Sequence, residues 1–158
     1  MNNFIKFLIR YPIEFILFLD FFILFKILPL SLARHLGSLI ATSIGPLLPV
    51  HGIAEKNLKI AFPDKENEWR RRILKKIWHN FGCIMAEYSH LKEILNERID
   101  IINNKNSKDF FDTSSANIIV SAHSSNWEIP GMSCKIKSDK ISAIVREPNN
   151  PFIRYFLI

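Results

Sequence analysis

Residues Asn117–Glu128 read NIIVSAHSSNWE, a short β-branched run that gives way at once to polar and aromatic residues. Asn117–Ala122 has the make-up of a strand buried on both faces, and so does Ile141–Val145, ISAIV. The two runs are separated by about twenty residues, enough for one crossover helix, so the pair predicts a βαβ unit with a right-handed connection. The expected fold class is therefore α/β, opening on a parallel or mixed sheet. In such sheets ligands bind off the carboxyl ends of the strands, which directs the search for chemistry to His123–Glu128.

Upstream of the first run the pattern is helical. Trp69, Ile73, Ile77, Phe81, Ile84, Tyr88, Leu91 and Leu95 recur at three- and four-residue steps, predicting a long amphipathic helix after Pro63, with Asp64 as its N-cap. Its other face carries Arg70, Arg71, Arg72, Lys75 and Lys76. A solvated face and a contact with membrane phosphate or an acidic protein both suit that cluster. A nucleic-acid site does not, since no helix-turn-helix spacing, zinc ligand set or RNA-binding aromatic motif lies near it. An earlier helix is expected through Leu32, Leu36, Leu39, Ile40 and Ile44, capped by Ser31 and ended by Gly45-Pro46. Its Gly37, Ser38, Ala41 and Ser43 are small enough for another helix to approach closely. His51–Phe62 reads as a connection with a short helix around Glu55–Ala61.

Phe4 to Leu30 is almost continuously apolar, with Glu14, Asp20 and Lys26 among its few charges. Phe4, Phe7, Tyr11, Phe15, Phe18, Phe22 and Phe25 place an aromatic stripe along one helical face. Pro12 suits the first turn of this helix and Pro29 closes it. A cleaved signal peptide is disfavoured, because no small-residue cleavage site follows the run before the next helix. A core helix of a soluble protein is the ordinary reading of such a stripe, but too few polar positions remain to face water. The reading preferred is an uncleaved helix that enters the membrane or lies in its interface, basic end toward the cytoplasm.

The whole chain has 158 residues, 48% hydrophobic and 23% charged, and a mean hydropathy of +0.09. These values exclude disorder and a multi-span bundle. The 21 Lys plus Arg outnumber 15 Asp plus Glu, for a net charge of +6, which favours anionic partners. Cys83 and Cys134 form no CxxC or Cys/His cluster and are expected to be reduced, buried thiols.

His123 stands at the carboxyl end of the first expected strand. A histidine there can take a proton from a hydroxyl as it attacks a carbonyl, and a carboxylate on its other ring nitrogen fixes the tautomer. Glu128 follows five residues later, and a strand-to-helix turn can fold it back to His123. Asn126 or backbone N–H groups at the helix start would face an oxyanion. Without a GxSxG elbow Ser124 and Ser125 are weak nucleophiles, and without HExxH or a second nitrogen ligand zinc is disfavoured. Five glycines and no Gly-rich loop disfavour nucleotide binding.

The motif HSSNWE, His123–Glu128, resembles the HxGNWE signature of the lipid A biosynthesis acyltransferases, the lauroyl and myristoyl acyltransferases related to glycerolipid acyltransferases. LPLSLARHLGSLI from Leu28, NLKIAFP at Asn57–Pro63, FGCIMAE at Phe81–Glu87 and VREPNNP from Val145 resemble the family in order and spacing. The resemblance implies an enzyme at the cytoplasmic face of a bacterial inner membrane. It would transfer an acyl chain from acyl carrier protein to a hydroxyl of a lipid A precursor. His123 would then be the general base, Glu128 its orienting partner, Asn126 and Arg146 substrate-binding residues, with no metal and no cofactor. Ser125 departs from the family's glycine.

The resemblance also implies proteins roughly twice this length, so residues 103–158 are expected to be the incomplete start of the acyltransferase core. Residues 31–102 form the helical region and 1–30 the membrane-associated helix. The competing expectations are a truncated, membrane-attached remnant without activity, and an acyltransferase acting on another glycolipid or lysophospholipid.

Overall fold

The structure, a computed structural model, describes residues 3–100, 118, 120, 125–137, 142 and 146–157. Its helices are α1 (Asn3–Ile5), α2 (Tyr11–Ile27), α3 (Leu30–Ile44), α4 (Pro49–Ala61), α5 (Asn67–Glu87), α6 (Leu91–Glu97), α7 (Glu128–Lys137) and α8 (Pro151–Leu157). The chain forms two compact units, one of Met1–Ile23 with Leu91–Ile158 and one of Leu24–His90.

The expectation of an α/β fold is overturned. No strand occurs among the described residues, and every regular element there is a helix. Ile118 and Val120, inside NIIVSA, lie in no regular structure and are 89% and 90% exposed. Ser142, inside ISAIV, is likewise irregular and exposed. A β-branched run becomes a buried strand only where neighbouring strands take up its backbone groups and layers cover both faces. Side chains so exposed have no such cover, and local propensity alone does not hold a strand. The other residues of both runs lie outside the described set.

The unit Leu24–His90 is built on the pairing of α3 with α5. Gly37 and Gly82 meet at the crossing, where a Cβ on either would run into the other's carbonyl oxygen, and Ala41 packs beside Gly82. The small residues of α3 thus allow the close approach that the sequence suggests. Around the crossing, the Cys83 thiol donates to the Arg34 carbonyl at 3.7 Å, and Arg34 Nε pairs with Glu87 Oε1 at 3.0 Å. Gly45 serves a second contact, because the indole of Trp78 fills the place its Cβ would take. Trp78 Nε1 in turn donates to His51 Nδ1 of α4 at 3.0 Å. Phe25, Ala33 and Ala86 form a buried cluster, with Leu28, Leu36 and Ile40 packed on it. His90 Nε2 lies 2.9 Å from the Phe25 carbonyl, and Lys26 Nζ donates to the Ser89 carbonyl at 2.9 Å. The first contact serves a carbonyl in the last turn of α2 and the second a carbonyl just past the end of α5.

Both expected caps fail. α3 begins at Leu30 behind Pro29, ahead of Ser31, and α5 begins at Asn67 behind Glu66, with no side-chain cap bond in either case. Proline supplies a fixed φ at the first boundary. At the second, Arg70 donates to the Phe62 carbonyl and to Asn67 Oδ1, tying the entry to α5 from within the helix. The long amphipathic pattern from Trp69 to Leu95 is also divided, by a 3₁₀ turn at Tyr88–His90.

In the other unit, α2 follows a π-helical turn at Lys6–Arg10. Pro12 has no N–H for the Leu8 carbonyl and its ring crowds that group, so a wider turn just upstream relieves the ladder. From Tyr11 onward the aromatic stripe is half-buried or buried, while Phe4 and Phe7 at its start are 69% and 56% exposed. Phe15, Phe18 and Phe22 pack on Phe156 of α8 at centroid distances of 6.2, 5.6 and 5.2 Å, and Phe7 and Phe15 pack on Phe152 at 5.7 and 5.9 Å. The exposed positions of the helix are mostly aliphatic, Ile13, Ile16, Leu17 and Ile23, with Asp20, Phe21 and Lys26 among them. Apolar on both sides, α2 has the character of a helix meant to be covered all round.

Candidate active site

The site is built on the start of α7. Ser125 has φ 53°, the one non-glycine residue in the left-handed region among the described residues. A side chain there costs about 1–2 kcal/mol, which gives a physical reason for the glycine that the lipid A acyltransferase signature carries at this place. The left-handed residue turns the chain into Asn126, which is only 4% exposed. Asn126 Oδ1 accepts the Glu128 N–H at 3.2 Å, and its carbonyl accepts the Ile129 N–H at 3.3 Å. Pro130 has no N–H to offer, so the first donors of α7 are engaged within the motif itself.

Glu128 opens the helix, where the macrodipole favours a carboxylate, and Trp127 Nε1 donates to its Oε1 at 3.1 Å. One carboxylate oxygen is thus held by the neighbouring indole. Asn126 and Glu128 meet at the helix start, where the Asn126 oxygen takes the Glu128 N–H, a pairing the sequence pattern does not announce. His123, the expected base, lies outside the described residues, as does Ser124. Arg146 stands exposed in the irregular segment ahead of α8.

That segment is anchored by a residue whose long-range role the local sequence pattern does not reveal. Asn150, also 4% exposed, caps α8: its Oδ1 accepts the Phe152 N–H at 3.0 Å and the Ile153 N–H at 3.4 Å. Its Nδ2 donates to the Tyr11 carbonyl at 2.8 Å and to Glu14 Oε2 at 3.2 Å. Arg10 Nε holds the other Glu14 oxygen at 2.6 Å. The hydrogen bond from Arg10, aided by that from Asn150, keeps the Glu14 carboxyl below the usual carboxylate range, against a smaller opposing effect of desolvation. The available signal was Asn-Pro before an apolar run, the N-cap and first-turn pattern.

The model of a family described as bacterial lipid A biosynthesis acyltransferases matches residues 4–158. The chain belongs to that family. No curated protein and no solved structure matches the chain.

The family is one of acyltransferases in lipid A biosynthesis. For a lipid A acyltransferase the match spans α2 and α8 as well as the HSSNWE motif, so the Asn150 anchor lies inside the family pattern. Cys83 is buried and Cys134 half-buried, both as free thiols, so burial is complete only for the first. Among the described residues no three His, Cys, Asp or Glu side chains are grouped to hold a metal ion.

Proposed function

We propose that the chain transfers a fatty acyl group from acyl carrier protein to a hydroxyl of a lipid A precursor, using His123 as general base and Glu128 as its orienting partner. The observation that carries this reading is the indole-held, helix-starting carboxylate of Glu128, set behind a left-handed Ser125 and a buried Asn126 in the family's motif. In the reaction, His123 takes the acceptor hydroxyl proton as the oxygen attacks the thioester carbonyl. The tetrahedral oxyanion then collapses, the new ester forms, and the carrier's thiolate leaves with the proton returned from the imidazolium. Glu128 stabilises the imidazolium in between. Arg146, exposed on its segment, is suited to a glycolipid phosphate, which a guanidinium binds through paired donors.

The reading includes a place, the cytoplasmic face of the bacterial inner membrane. It is supported by the aliphatic outer side of α2 and by a net charge of +6, which suits both lipid phosphates and an acidic carrier. Among the described residues no single helix is long and apolar enough to cross a membrane. An interfacial α2 satisfies the reading as stated.

The test is acyl transfer from acyl carrier protein to a lipid A precursor by membranes carrying this chain, with a lysophospholipid as the competing acceptor. Transfer to the lipid A precursor that His123→Ala abolishes supports the reading. Equal transfer by the parent chain and the variant removes the catalytic role. Transfer by neither above that of membranes lacking the chain leaves a non-catalytic, membrane-attached protein.

A further inference from the structure

The unit Leu24–His90 carries an apolar surface that the acyltransferase motif does not use. None of the thirteen residues of α4 is buried. The helix turns His51, Ala54 and Leu58, all half-buried, to one side, with His51 on Trp78 of α5. Pro49, Val50, Ile53 and Ile60 lie exposed along another side. The surface continues into the preceding turn with Ile44, Leu47 and Leu48, Leu47 being 82% exposed and Ile60 71%. Exposed apolar side chains standing singly need no explanation, but a run of this kind along one helix and its entry turn marks an interaction surface.

Three observations identify the partner chemistry. The exposed set on α4 and its entry turn is aliphatic, whereas the energetic centres of protein interfaces are rich in Trp, Tyr and Arg and poor in Leu and Val. Lys56 falls at helical spacing between Ile53 and Ile60, so the charge on that side is cationic and can reach outward past them. Glu55 lies away from this side, paired with Lys59 at 3.8 Å. Finally, α5, on which α4 packs, exposes Arg71, Arg72, Lys75 and Lys76. An aliphatic stripe that carries Lys56, on a helix packed against another that exposes four cations, fits an anionic phospholipid surface.

Length decides how the helix meets it. Thirteen residues extend about 20 Å, short of the roughly 30 Å hydrocarbon core. The segment Leu30–Leu47 meets α4 at a bend of 84°, so the two do not form one straight span. We infer that α4 is a second membrane contact, lying in the plane of an anionic bilayer with Val50, Ile53 and Ile60 in the acyl boundary and Lys56 among the phosphates. The inference rests on the reading that the chain works at a membrane.

The test places a nitrobenzoxadiazole label on a cysteine in the 158-residue chain, in a Cys83→Ala, Cys134→Ser background checked by circular dichroism. The sites are Ile16→Cys on α2 and Ile53→Cys, Lys59→Cys and Ile60→Cys on α4, each bound to phosphatidylglycerol vesicles. Quenchers fixed at known acyl depths should dim the labels at 53 and 60 at least about threefold more than the label at 59, at one shared depth. Aqueous iodide should show the reverse order. On phosphatidylcholine vesicles the contact at 53 should weaken several-fold. Lipid quenching at 16 with none at 53 overturns the inference and leaves the membrane reading standing. Depth that changes steadily from 53 to 60 overturns the in-plane orientation, and equal contact on both lipids overturns the anionic preference. A chain with neither 16 nor 53 in lipid loses the membrane reading and the inference together.

Discussion

The starts of α7 and α8 are built from the same part and put to different use. Each has an asparagine only 4% exposed whose Oδ1 accepts a backbone N–H two residues on. At α7 the Asn126 oxygen serves its own turn: it accepts the Glu128 N–H, and Glu128 in turn accepts from its neighbouring indole. At α8 the amide reaches across the sequence, Asn150 donating to Tyr11 and Glu14 on α2 while Phe152 and Phe156 stack on the α2 aromatics. One start presents a carboxylate, and the other fastens the segment that bears Arg146 to the N-terminal helix. A motif that looks like capping in sequence therefore has two possible jobs, distinguished by what the far end of the amide meets.

Glu128→Gln tests the first job and has the largest expected effect. The glutamine keeps the shape and accepts from Trp127, but it carries no charge for the imidazolium, so acyl transfer should fall by about a hundredfold or more with the thermal midpoint nearly unchanged. An equal loss in both would make Glu128 a structural residue and remove the contrast with Asn150.

Asn150→Ala and Asn126→Ala compare the two starts directly. Each loses a cap, a cost of about 1 kcal/mol. Asn150→Ala also strips a donor from the Tyr11 carbonyl, and its total should reach about 2–3 kcal/mol in urea unfolding. Hydrogen exchange in Phe152–Phe156 should rise with it. A loss for Asn150→Ala no larger than that of a cap alone, about 1 kcal/mol, would mean that the reach to α2 contributes nothing.

How far these features were legible follows from the range of the forces involved. The close approach of α3 and α5 was readable, because Gly37 and its small neighbours lie at helical spacing on one short segment. Asn-Pro before FIRYFLI was readable as a cap, but Tyr11 lies 139 residues away and no local pattern announces it. The aromatic stripe on α2 was correctly periodic, yet periodicity says which residues share a face and not what covers it. Phe152 and Phe156 pack on its middle, from Phe7 to Phe22, while Phe25 is covered by Ala33 and Ala86. The β-branched runs misled for a related reason: Ile118 and Val120 have strand propensity, while strand formation depends on neighbours that propensity does not contain. Of the candidate site, the motif HSSNWE was legible as a stretch of sequence, while the capping bond from Glu128 N–H to Asn126 Oδ1 depends on the left-handed turn at Ser125, which no local pattern announces.

Ser125→Gly should change less. Removing the side chain relieves the left-handed strain but adds freedom to the unfolded chain, so the net gain should be about 0.5–1 kcal/mol, read as a higher unfolding midpoint. Loss of stability would show that the Ser125 side chain contributes more than its backbone costs, and that the α7 start is held by more than its Asn126 cap.

The smallest effect concerns the cluster of Arg10, Glu14 and Asn150. The Glu14 pKa is held down chiefly by the hydrogen bond from Arg10, with Asn150 assisting. A carboxyl whose folded pKa lies below its unfolded value contributes stability above the unfolded value, about 4.3, and loses it as the pH falls through the folded one. Arg10 and Glu14 are both well exposed, so solvent screens the pair and the contribution is small. Unfolding midpoints should therefore decline slightly more steeply below about pH 4.3 in the parent chain than in Arg10→Gln. In that variant the desolvation of Glu14 outweighs the remaining Asn150 hydrogen bond, so the extra acid loss should disappear. Adding Asn150→Ala leaves desolvation alone, so mild acid should then slightly favour the fold relative to neutral pH. If Arg10→Gln keeps the acid dependence of the parent chain, the hydrogen bond from Arg10 is not what holds the Glu14 carboxyl down, and the cluster that fastens α8 to α2 draws nothing from that ion pair.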